Sequence, residues 1–125
     1  MMSDPQDPIV RPRRLRLNAG LRAMLQRVTL RRSDVIVPVF VREGRGVRQE
    51  VTSMPGVFQM SVDVATEWLS RRAEEGFGAY LIFGVVDRDK KDAMGSAALD
   101  PDNVVCTLLR AVKERKLPIA GITDL

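Results

Sequence analysis

The chain has 125 residues, 45% apolar and 29% charged, with a net charge of +4, which suits one small domain with a modest core. It has no histidine and a single cysteine, Cys106, which excludes an internal disulfide, a paired-cysteine metal motif and any Ser-His or Cys-His catalytic pair. No apolar run approaches the roughly 18 residues of a membrane span, and "MMSDPQDPIV" lacks the order of a secretory signal, so a cytoplasmic protein with no membrane partner is expected.

Residues 1–16 read as extended, because Pro5, Pro8 and Pro12 discourage helix and little there could build a core. Arginines crowd the stretch from Arg11 to Arg32. A nucleic-acid arm would carry aromatic rings to stack on bases; none is present and the apolar residues keep a helical period, so a protein-contacting arm is expected, with no nucleic-acid partner. Asp4 and Asp7 argue against a mitochondrial transit peptide. Asn18 is a good N-cap for a helix over 19–27, with Leu21, Met24, Leu25 and Val28 on one face.

"DVIVPVFV", 34–41, is a continuous β-branched run of the kind that forms a strand covered on both faces. Pro38 places an edge or a bulge nearby. A long loop follows, with room for a small hairpin and a turn at Pro55-Gly56. Ser61 is expected to cap a helix over 62–75, with Asp63 near its positive end, Ala65, Trp68, Leu69 and Ala73 buried, and Gly76 as its stop. "AYLIFGVV", 79–86, is a second buried strand. After a polar loop, Asp100-Pro101 reads as an N-cap and first helical residue, and the helix, ending near Lys116, buries Val104, Val105, Leu108, Leu109 and Val112. Cys106 falls on that apolar face as an inert buried thiol. "PIAGITDL" is the third strand, with an acid, Asp124, at its tip.

The order arm, helix, β, α, β, α, β implies parallel strands joined by crossovers. The expected fold class is α/β: the N-terminal portion of a (β/α)8 TIM barrel, about three parallel strands, preceded by an extended arm and short helix. Residues 1–32 form the arm and helix, and 33–125 the partial barrel. A whole barrel takes about 250 residues. "KKDAMGS" lacks P-loop spacing and precedes no immediate helix, so a mobile surface loop is expected; "GRG" at 44–46 opens no helix and is no dinucleotide fingerprint.

"RPRRLRLNAGLRAMLQ", "DVIVPVFVREG", "SMPGVFQMSVD", "FGVVDRDKKDAMGSAALD" and "ITDL" fall in the order and spacing of the N-terminal part of porphobilinogen synthase (delta-aminolevulinic acid dehydratase), and the chain resembles that family from Arg11 onward. It departs at Val86 to Lys90, where the family has a shorter stretch, often with proline after "FGV". The resemblance implies a (β/α)8 barrel, an arm that embraces a neighbouring subunit of a homo-oligomer, and condensation of two 5-aminolevulinate molecules to porphobilinogen in haem and tetrapyrrole synthesis. It implies two Schiff-base lysines on later strands; Lys90, Lys91, Lys113 and Lys116 match neither and read as solvated. It implies zinc or magnesium in the full-length family, with no ligand from these residues. It assigns a role to Asp124, at the barrel mouth beside the Schiff-base site in an intact barrel; without the resemblance, Asp124 reads as a strand-end acid turning into a loop. The expectation is an incomplete N-terminal piece, inactive alone. The alternative is a short half-barrel that serves a full-length synthase as an oligomerisation or regulatory partner.

Overall fold

The computed structural model describes residues 13–124. The expectations for 1–12 and for Leu125 lie outside the described residues. The chain divides into two compact units, Met1–Leu30 and Arg31–Leu125, each treated by itself.

In the first unit Arg14–Arg16 makes a 3-10 turn where extended chain was expected. The helix α1 (Ala19–Met24) follows. Asn18 caps it as expected, its side chain accepting the Gly20 N–H at 2.7 Å. The helix ends at Met24, before the expected Arg27, and beyond it the Gln26 side-chain amide donates to the Val28 carbonyl at 2.6 Å. Leu21, Met24, Leu25 and Val28 are all exposed.

The second unit is a sheet in the order β2-β3-β1-β4-β5 with helices between strands. Its elements are β1 (Ile36–Arg42), β2 (Arg48–Glu50), β3 (Phe58–Ser61), α2 (Val62–Glu74), β4 (Ala79–Val85), α3 (Ser96–Leu99), α4 (Val104–Glu114) and β5 (Ala120–Thr123). Neighbouring strands β3, β1, β4 and β5 are parallel, and β2 alone runs antiparallel, to β3. The expected run of parallel strands is β1, β4 and β5. The hairpin adds β2 and β3 on the other side of β1. Its turn, Met54 to Val57, closes with the Val57 N–H on the Met54 carbonyl at 3.0 Å, and Gly56 takes the positive φ of 82° that a type II turn needs after proline.

The core lies on one side of the sheet. Val37, Val39 and Val41 of β1 and Tyr80 and Ile82 of β4 are buried with Ala65 and Leu69 of α2 and Leu108 and Val112 of α4. Burying a side chain such as Leu69 or Leu108 stabilises the fold by about 1.5–3 kcal/mol. The expectation that β1 and β4 are covered on both faces is corrected: β1 alternates between buried and more accessible positions, and Ile36 stays 51% exposed. The apolar residues of the second face have no covering layer among the described residues. Pro38 is accommodated in the half of β1 that β3 does not reach, since β3 pairs only with Phe40, Val41 and Arg42. The final strand is likewise corrected: β5 is exposed along its length, because β4 is its only neighbour among the described residues.

Of the two long helices, α2 starts at Val62 as expected, and α4 starts later than the sequence reading put it. Ser61 holds the N-cap position of α2 and is fully buried, but makes no side-chain cap bond. Of the face expected to be buried, Ala65 and Leu69 are buried and Trp68 and Ala73 are partly so. Asn103, not Asp100, caps α4, accepting the Cys106 N–H at 2.9 Å. The Asp100 carboxylate accepts the Asp102 N–H at 2.8 Å and spends itself on that turn. Cys106 is half-buried, not fully buried.

Candidate active-site mouth

All parallel strands of the second unit end at one edge, and β1, β4 and β5 present their C-termini there. In α/β sheets this edge carries the chemistry, since loops from several strands converge on it. The pairings Phe40 with Phe83, Pro38 with Leu81, and Leu81 with Ile122 put these residues on one face, the face opposite the helices. Phe40 and Phe83 stack with ring centroids 5.1 Å apart and form an apolar floor.

Asp124 follows β5 directly and is exposed. The last residue of β5 paired with β4 is Thr123, opposite Ile82, so Asp124 stands one residue past the ladder. The sequence-predicted acid therefore stands at the C-terminal end of its strand, on the edge where the parallel strands finish.

Arg42 ends β1 on this same face. Its guanidinium donates to the Gln49 side-chain carbonyl at 2.9 Å and lies 3.4 Å from the Asp87 carboxylate. Beside it, Lys90 pairs with Glu43. The Glu43 carboxylate, through its hydrogen bond, holds the Lys90 ammonium above its ordinary pKa, the reverse of what a nucleophilic amine requires. Lys91 is exposed in the same loop. Lys113 and Lys116 are exposed at the end of α4, which runs back from the mouth, so they sit at the opposite edge of the sheet.

A second polar group lies behind the mouth. The Ser61 hydroxyl donates to Asp63 at 2.5 Å and accepts the Val47 N–H at 2.9 Å, and the Gly46 N–H donates to Asp63 at 2.9 Å. These bonds, the Ser61 hydroxyl first, hold the Asp63 carboxyl below the usual carboxylate range. Gly44 and Gly46, with positive φ, let the "GRG" turn present that N–H; as expected, no helix opens there. "KKDAMGS" differs from its expectation: the four-residue helix α3 starts directly after Gly95, with the Asp92 carboxylate accepting the Met94 and Ser96 N–H groups at 3.0 Å each.

Among the described residues no group of three or more His, Cys, Asp or Glu is gathered closely enough to hold a metal ion. Nor is any described helix long and apolar enough to cross a membrane. The Arg42, Glu43, Asp87 and Lys90 set escaped the sequence reading. Its signal was present: "RE" after one strand and "DRDK" after its neighbour carry opposite charges at matching ends.

Comparison with known proteins agrees with this layout. The family model described as delta-aminolevulinic acid dehydratase matches residues 9–125. A delta-aminolevulinic acid dehydratase of Methanothermus sociabilis is 38% identical over 117 residues, covering 94% of this chain and 36% of the relative. One from Halalkalibacterium halodurans is 42% identical over 114 residues, covering 91% and 34%. The solved structure of the Toxoplasma gondii ME49 enzyme, in complex with the reaction product porphobilinogen, superposes with a TM-score of 0.80 at 27% identity, covering 92% of this chain and 32% of that one. The chain thus spans about a third of the length of these relatives, and its sheet corresponds to part of their barrel. On the match over residues 9–125, the chain belongs to the delta-aminolevulinic acid dehydratase family.

Proposed function

We propose that residues 1–125 supply the first strands of a (β/α)8 barrel that condenses two 5-aminolevulinate molecules to porphobilinogen with loss of water. The observation that carries the reading is the family match across residues 9–125. The position of Asp124 at the C-terminal edge of the parallel strands supports it, since barrel enzymes work at that face.

In this reaction a lysine amine attacks a ketone and must be neutral to do so. Lys90 is paired with Glu43, Lys91 is exposed in the same loop, and Lys113 and Lys116 stand at the far edge. The Schiff-base lysines of the reading are therefore none of these, and residues 1–125 by themselves are expected to form no porphobilinogen. Borohydride trapping of 5-aminolevulinate on any lysine of the chain would overturn that. A zinc or magnesium ion of the whole enzyme would take its ligands from outside the described residues. The arm, residues 1–32, contacts a neighbouring subunit in this reading, and the exposed leucines around α1 are the surface for it.

Asp124 is the catalytic residue proposed within the chain. Its carboxylate orients the substrate ammonium, or takes and returns a proton at it. The test is Asp124→Asn in the whole enzyme, which keeps the shape and removes the charge. Turnover is expected to fall by about two orders of magnitude with folding and assembly unchanged. Near-full turnover of the Asn variant, with Asp124→Ala unfolding the protein, would make the residue a structural strand end.

A further inference from the structure

The loop between β4 and α4, residues 87–103, is docked in an unusual way. Its large apolar side chains are not buried: Met94 is 83% and Leu99 81% exposed. Apolar burial therefore does not hold it to the strand ends. Internally it is well braced. Asp92 accepts the N–H groups of Met94 and Ser96, and the Asn103 amide donates to the carbonyls of Ala98 and Asp100 at 3.2 and 2.8 Å. The side-chain contacts that tie it to β1 are two ion pairs, Arg42 with Asp87 and Lys90 with Glu43.

These pairs have a specific design. Arg42 and Glu43 are consecutive, and Asp87 and Lys90 open and close the short turn that follows the neighbouring parallel strand. The polarities are crossed, so sliding the loop along β1 would set Asp87 against Glu43, or Lys90 against Arg42. Like charges in that register repel, so the pairs specify one docked position as well as attracting. Gln49 steadies the Arg42 guanidinium from the hairpin side, which leaves the arginine side chain only 27% exposed. Between the loop and the strand ends lies an open cleft of about 410 Å³ walled by Glu43, Val85, Lys90, Ser96, Asn103 and Val104.

We propose that residues 87–103 form a strap latched to the end of β1 by the crossed pairs Arg42–Asp87 and Glu43–Lys90, and that releasing the latch frees the strap from the strand ends and breaks up the cleft it walls. The latch responds to ionic strength, because both pairs are solvent-accessible and screened by salt. An exposed pair contributes up to ~1 kcal/mol, so each shifts the opening equilibrium by up to about fivefold. That the strap borders the path of the substrate rests on the synthase reading above; the latch itself does not.

The test is hydrogen exchange by mass spectrometry on the whole chain, following a peptide over 91–100 and, as internal control, a peptide over 79–85 in β4. Raising salt to about 1 M, where screening acts within ~3 Å, should speed exchange in the strap by about fivefold relative to β4. Arg42→Glu and Asp87→Arg should each do the same at low salt, and the double variant Arg42→Glu/Asp87→Arg should return the strap to its original rate. Strap exchange that ignores salt, or a double variant as fast as the singles with β4 protected, overturns the latch. If a variant loses β4 protection it has unfolded, and the salt titration of the unaltered chain decides. A strap that latches while the whole enzyme that carries residues 1–125 forms no porphobilinogen would count against the synthase reading and leave the latch standing.

Discussion

Gly121 of β5 is the position where one methyl group interrogates the fold most directly. A Cβ built there would sit 2.8 Å from Leu109 Cδ2, 2.8 Å from the Tyr80 hydroxyl oxygen and 3.0 Å from Tyr80 Cζ. Favourable carbon contacts lie near 3.5–4.0 Å, so something must move. Leu109 is partly buried beside the open cleft between α4 and β5, and can turn outward. Tyr80 is 1% exposed and walled in by the core. Overpacking of this kind costs about 1–3 kcal/mol, and burying the new methyl offsets less than ~0.8 kcal/mol. Gly121→Ala should therefore destabilise the second unit by about 1–2 kcal/mol, lowering Tm by about 5–15 °C for a domain of this size. The assay is thermal unfolding followed by circular dichroism, paired with Tyr80→Phe and with the double variant. Removing the hydroxyl deletes one of the two closest contacts, so Tyr80→Phe should recover about half the loss in the Gly121→Ala background, a coupling readable as a double-mutant cycle. A Gly121→Ala chain as stable as the parent, or a double variant no better than the single, would show that β5 does not lie against Tyr80 as described. The consequence reaches the mouth, because Asp124 is carried by this strand.

Two further outcomes are expected. Leu108→Ala empties a fully buried site between α4 and the sheet and should cost about 2–5 kcal/mol in denaturant unfolding; a loss under about 1 kcal/mol would mean that α4 is not packed as described. The Asp34, Asp63 and Asp92 carboxyls are held below the usual range, chiefly by Arg31, the Ser61 hydroxyl and the Ser96 N–H respectively. In the acid range the folded chain thus binds fewer protons than the unfolded one, so their contribution is complete above about pH 4 and fades as pH falls through the lower folded values. Ser61→Ala should flatten that acid limb in a pH series of urea midpoints, and an unchanged limb would dissociate Ser61 from Asp63.

The local signals were legible where one residue and its near neighbours decide the outcome. Asn18 caps α1 because its side chain needs only the N–H two residues on. Pro55-Gly56 makes its turn because proline presets one φ and glycine permits the next. Apolar patterning placed α2, α4, β1, β4 and β5 within a few residues, while the hairpin strands β2 and β3 were read only as a loop with room for a hairpin. The motifs in order were enough to indicate the family.

What the tertiary structure decided depends on partners distant in sequence. No periodicity says that β3 lies parallel beside β1, because the ladder joins Phe40 to Gln59 through backbone groups that every residue has. A continuous apolar run cannot say which of its faces meets a helix, so the open side holding Phe40, Phe83 and Ile122 was invisible until α2 and α4 took the other side. Ser61 and Asp100 both carry good capping groups. Asp63 and Val47 claimed the first and the Asp102 N–H the second, leaving Asn103 to start α4. Asp124 shows the division most plainly. The residue and its strand could be read directly, but that the strand lies parallel beside β4, with Thr123 opposite Ile82, is supplied only by the folded sheet, since backbone ladders carry no sequence signal.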